Sequence, residues 1–136
     1  MRFLKILLLS GWLLVILFPT AWLARQTRVT GYWFETFTPE WVHIVAHTTI
    51  FAALTMMVLS VFPRHWLAFV ATLLLALFVG ILQEGIQVAA AGMRPGWEEV
   101  FDLCVDLFGA LCGMTLVILT RTISALVRPN RGFSHR

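Results

Sequence analysis

Charge is scarce in this sequence. Of 136 residues only 12% are Asp, Glu, Lys or Arg, while 60% are hydrophobic; an ordinary soluble domain carries roughly a quarter charged residues. So small a charged fraction excludes a soluble globular enzyme and a disordered regulator. Cysteine is scarce as well. Cys104 and Cys112 stand eight residues apart in one apolar run, which places them about 12 Å apart along a helix, beyond disulfide reach. A disulfide-stapled secreted domain is therefore excluded, and the redox compartment is left open. There is no Ser-His-Asp pattern, no cysteine beside a base and no Gly-rich phosphate loop. A small-x-small cleavage site is also missing behind the first apolar run, where Trp22 and Leu23 stand instead. That run reads as a retained helix rather than a signal peptide.

What the chain has is apolar length. A bilayer crossing needs about 20 apolar residues, so the hydrophobic stock fills about four spans. The expected architecture is all-α, one domain over 1–136: an integral membrane bundle of four transmembrane helices with short loops and antiparallel neighbours. Their expected bounds are about 3–24, 39–62, 66–91 and 97–126, followed by a basic tail at 127–136. Pro19 is expected to kink the end of the first. The stretch 25–38 holds Tyr32, Trp33, Phe34 and Phe37, just ahead of Trp41, a composition that suits the headgroup layer. Thr38-Pro39-Glu40 supplies a cap, a first-position proline and an acid for the second helix. Pro63-Arg64-His65 stops it, Gly92 caps the third, and Glu98 and Glu99 open the fourth.

The basic residues are divided unevenly between the two ends of such a bundle. Arg2, Lys5, Arg64, Arg121, Arg128, Arg131 and Arg136 fall on one side and Arg25, Arg28 and Arg94 on the other. Seven against three predicts a cytoplasmic-membrane protein with both termini in the cytoplasm. The net charge of +3 is thus a topology signal, and no nucleic-acid partner is expected.

Few ionisable groups lie inside the apolar runs, and they share a depth. Measured from the cytoplasmic end at 1.5 Å per residue, His47 and His43 lie about 26 and 32 Å up the second helix, and Glu84 about 30 Å up the third. Asp106 and Asp102 lie about 22 and 28 Å up the fourth. His43 and His47, Glu84 and Gln87, and Asp102 and Asp106 are each spaced to share a helix face. Gly109 and Gly113 continue the aspartate face, and Gly80 lies one turn below Glu84; these are packing positions, where small residues let helices approach. A charge in hydrocarbon costs about 2.5–3.5 kcal/mol on insertion scales, so the acids are expected to turn inward and pair. Arg94 is placed to fold back over them. The expectation is an Arg-capped acidic cleft opening outward, with Glu84, Asp106 and His47 as candidate acid or base groups and Arg94, Gln87 and Asp102 as binding groups.

At these residues the chain resembles the VanZ-like family, small membrane proteins named for a factor in low-level resistance to the glycopeptide teicoplanin. The resemblance rests on His47, Glu84-x-x-Gln87, Arg94 and Asp102-x-x-x-Asp106-x-x-Gly109-x-x-x-Gly113, over about residues 43–120. The chain departs from the family in carrying His43-Ile44 where Asp-Lys is frequent, Phe51 where an aromatic hydroxyl is frequent, and the acid Asp106 where an amide is frequent. The resemblance implies a cell-envelope role and brings no settled reaction with it.

Four functions compete. The first is binding or modification of an envelope lipid or glycopeptide-related component, Arg94 holding an anionic group. The second is a divalent metal on His43, His47, Glu84, Asp102 and Asp106; Ile44 breaks the metalloprotease signature, and hydrogen-bonded pairing would satisfy the same groups, so no cofactor is the first expectation. The third, a proton-coupled transporter, is disfavoured because the cytoplasmic halves of helices two to four read as Leu, Val, Phe, Met and Ala. The fourth is a structural or assembly subunit whose polar cluster is a packing network, with a homo-oligomer or another membrane protein as partner.

Overall fold

The computed structural model describes residues 2–18, 40–62, 65–92 and 94–127. These form four helices: α1 (Arg2–Ile16), α2 (Glu40–Val61), α3 (Trp66–Ala91) and α4 (Trp97–Val127). No strand occurs among the described residues. The helices α2, α3 and α4 are each long and apolar enough to cross a membrane. The stretch 25–38, the loop at Pro63-Arg64 and the tail beyond Val127 lie outside the described residues, as does the expected kink at Pro19.

The first helix departs from expectation. It ends at Ile16, eight residues short of the expected 24, and at 15 residues it is about 22 Å long against a hydrocarbon core of about 30 Å. A proline disfavours helical backbone at the residue before it. The chain responds by tightening: Leu17 N–H still reaches Leu13 O at 2.9 Å, while Phe18 N–H turns to Val15 O at 3.3 Å. The regular helix therefore ends at Ile16, ahead of Pro19.

The other boundaries have local causes. Gly92 adopts φ 63°, the left-handed conformation that glycine tolerates, and its N–H closes on Ala89 O at 3.2 Å. Glu99, three residues into the α4 start, accepts a hydrogen bond from Gly96 N–H at 2.5 Å, one half of a capping box.

Contacts along the helices set their directions. Pairs ascend together along α2 and α4, from His43–Asp102 through His47–Asp106 and Thr48–Gly109 to Ala52–Gly113 and Leu59–Arg121. These two helices are therefore parallel neighbours, with the most extensive interface in the described structure. A Cβ added at Gly109 would lie 2.5 Å from Thr48 O, and one at Gly113 would strike Ala52 O. The glycines bring the two backbones together, as expected of small residues in lipid. By contrast α1 is antiparallel to α2: Lys5 Nζ donates to Ser60 O at 3.0 Å and Trp12 Nε1 to Ile50 O at 3.2 Å. Arg121 also donates to α2, reaching Leu59 O at 2.7 Å. Two cations thus sit on the last carbonyls of α2, where the helix dipole favours positive charge.

Burial differs from that of a soluble domain in the polar groups it includes and the apolar ones it leaves outside. Ile16, Phe51, Leu54, Val58, Ala76, Val79 and Ala110 form an apolar core, but His47, Thr55, Thr72, Glu84 and Asp106 are buried with them. Large apolar side chains such as Leu74, Phe78, Ile81, Phe108 and Leu111 face outward. So many exposed apolar side chains suit a lipid solvent.

Candidate functional site

Three helices bring the polar groups to one layer. The Asp106 carboxylate on α4 accepts a hydrogen bond from His47 Nδ1 on α2 at 2.8 Å, and both side chains are buried. Glu84 on α3 joins them: one ligand atom from each of His47, Glu84 and Asp106 lies within 4.8 Å of the other two. The geometry follows from the chain path. Glu84 lies 18 residues beyond the start of α3 and His47 lies 14 before the end of α2, or about 27 and 21 Å from the connection between them. A helix that returns antiparallel brings the two to similar depth.

One turn toward the helix starts lies a second, more open pair. His43 Nε2 stands 3.6 Å from Asp102 Oδ2, with side chains 49% and 17% exposed. The two histidines touch edge to face, ring centroids 4.2 Å apart. His43, His47 and Asp102 thereby form a second group of potential ligands that shares His47 with the first. Exposure falls along this series, from His43 at the end of the bundle to Asp106, which is 1% exposed.

Glycine makes the room for Asp106. A Cβ at Gly80 would sit 2.9 Å from Asp106 Oδ2 and 2.9 Å from Leu103 Cδ2. Gly80 is thus more than a spacer between helices, because its missing side chain is the slot in which the carboxylate lies. Two carboxyl oxygens in the layer, Glu84 Oε1 and Asp106 Oδ2, are buried without a hydrogen-bond partner. Buried polar atoms are normally satisfied, so each such orphan calls for an explanation.

Not every expected residue joins the cluster. Arg94 is exposed, and among the described residues it forms no ion pair with Glu84, Asp102 or Asp106. The expected Arg cap over the acids is therefore not formed among the described residues, and Gly96 N–H, just ahead of α4, is taken by Glu99. A guanidinium beyond the end of a helix can stay solvated. Gln87 is half-buried and makes no side-chain hydrogen bond among the described residues. Glu98 is exposed at the α4 start.

The structure adds two polar residues that the sequence reading passes over. Gln83 Oε1 and Thr55 Oγ1 are buried and unpartnered. Gln83 carried a signal, being three residues beyond Gly80 and so near its face of the helix; Thr55 had no such spacing to mark it. Thr55 and the buried Thr72 also show that the halves of α2 and α3 nearest their connection are not wholly apolar. Thr72 is satisfied by Ala68 O on its own helix at 2.6 Å, the usual recourse of a helical hydroxyl.

Chemically the layer offers one imidazole and two carboxyl groups, a set able to exchange protons or hold a cation, with a second imidazole and carboxylate at its mouth. The cysteines are remote from that role: Cys104 is exposed, Cys112 is half-buried, and neither stands in either ligand group. No protein-family model, no curated protein and no solved structure matches this chain.

Proposed function

We propose that the chain is a VanZ-like integral protein of the cytoplasmic membrane whose polar layer takes up the headgroup of an envelope lipid or a glycopeptide-related component from the outer side. In this reading α1 enters the bilayer beside α2, making a four-span bundle with both termini in the cytoplasm. The observation that carries the proposal is the buried His47–Asp106–Glu84 group, continuous with the exposed His43–Asp102 pair. Polar and ionisable residues held inside a membrane bundle mark sites more often than they serve packing. Arg94, at the same end, supplies a cation for the phosphate or carboxylate of the ligand. A divalent metal is the cofactor these residues are suited to hold.

A second reading has its own support. His47 and Asp106 bridge the same two helices that Gly109 and Gly113 bring together, as a packing network in an assembly subunit would. Glu84→Gln, Asp106→Asn and Arg94→Ala separate the two. With a binding site, the variants remain abundant in membranes while the sensitivity of cells to glycopeptides and other envelope antibiotics changes. With a packing network, any change in sensitivity follows the loss of protein, and Arg94→Ala, which touches none of the network, has no effect.

A further inference from the structure

We infer that His47, Glu84 and Asp106 form a binding site for a single divalent transition-metal ion, zinc or manganese, and that the exposed His43–Asp102 pair is the route by which the ion reaches it. The inference rests on reading the polar layer as a ligand site.

Three observations point to a cation. The first is proximity: the three ligand atoms lie within 4.8 Å of one another and come from three helices, so one ion would be enclosed rather than held on one face. The second is the pair of orphan oxygens, Glu84 Oε1 and Asp106 Oδ2, on residues 7% and 1% exposed. Side chains so buried have no recourse to solvent, and a metal is a partner that neutralises two carboxylates at once. The third is Gly80, which keeps open the space beside Asp106 Oδ2 that any side chain would fill.

The donor set narrows the ion. One imidazole and two carboxylates favour a borderline divalent metal over calcium or magnesium, and the absence of thiolate disfavours copper(I). Three protein ligands leave coordination positions for an exogenous oxygen, as zinc sites that act on substrates do. The headgroup proposed above would be bound there. The outer group shares His47 and adds His43 and Asp102, so an arriving ion can be held by the exposed pair before it passes to the buried one.

The test uses full-length chain carrying a tag without histidine, purified in detergent. Elemental analysis after incubation with zinc or manganese chloride and desalting should find close to one ion per chain, and the metal should raise the thermal midpoint of the wild type reversibly on chelation. Glu84→Gln and Asp106→Asn should each weaken binding at least about tenfold, and His65→Ala, at the α3 start, should leave it unchanged. His43→Ala should slow loading more than it lowers final occupancy. A wild type that neither retains metal nor shifts its midpoint overturns the inference without recourse to variants, as does equal metal content in wild type and both carboxyl variants. The envelope reading stands or falls separately. Antibiotic sensitivity altered at normal abundance in a metal-free protein would leave the binding site and remove the metal, whereas metal bound with no effect on sensitivity would do the reverse.

Discussion

Asp106 is the most constrained ionisable side chain among those described. It accepts from His47, lies within the reach of Glu84, and rests against the bare backbone of Gly80. In lipid an interhelical hydrogen bond averages only about 0.6 kcal/mol, because the separated helices also find partners. Its steric fit therefore matters at least as much as its hydrogen bond. Gly80→Ala should destabilise the protein by about 1–3 kcal/mol, the usual cost of overpacking. Asp106→Ala in the same chain should recover most of that loss, since the oxygen that meets the new Cβ at 2.9 Å is gone. Unfolding of the two single variants and the double variant in mixed detergent measures the coupling. Additive losses would show that Leu103, the other side chain at Gly80, sets the cost.

Among the elements, the α2–α4 pair is held by backbone approach. At Gly109 the obstruction to a Cβ is Thr48 O and Thr48 Cα, at 2.5 and 2.8 Å, main-chain atoms that move only if a helix moves. Gly109→Ala is expected to cost about 1–3 kcal/mol, while Gly85→Ala, whose Cβ meets nothing within 4 Å, should stay within about 0.5 kcal/mol of wild type. The same detergent unfolding assay compares them. The bounds of α2, α3 and α4 were legible in sequence to within a residue or so, because each end has a local cause in Glu40, Gly92 or Glu99. The end of α1 at Ile16 was not, since the apolar run continues past it and carries no stop signal before Pro19. The faces were legible from spacing: His43 with His47, Asp102 with Asp106, Gly109 with Gly113. The partners across helices were legible only where a buried charge demanded one. Nothing in a spacing rule says that Arg94 stays in solvent or that Gln83 Oε1 is buried, as both depend on how α3 and α4 pack against their neighbours.

At the scale of the whole molecule, Lys5, Ser60 and Arg121 mark one end of the bundle and His43, Asp102 and Gly96 the other. In the proposed topology the first end faces the cytoplasm, as the positive-inside rule favours. In a chain with Cys104 and Cys112 replaced by serine, a single cysteine at Gly96 should react with membrane-impermeant maleimide in intact cells, and one at Ser124 only after permeabilisation. The reverse labelling would invert the orientation, and with it the side from which the site is reached.

The parallel alignment of α2 and α4 also bears on how the chain is made. Helices leave the translocation machinery in order, yet the main interface of this protein joins two that are not consecutive. Until α4 emerges, α2 must wait in the bilayer beside α3 with His47 lacking Asp106 and with Thr48 and Ala52 uncovered. The polar layer is therefore closed only when α4 joins α2 and α3. A nascent chain arrested before Asp106 leaves His47 without the carboxylate that accepts its hydrogen bond, with Glu84 as the one buried acid within its reach.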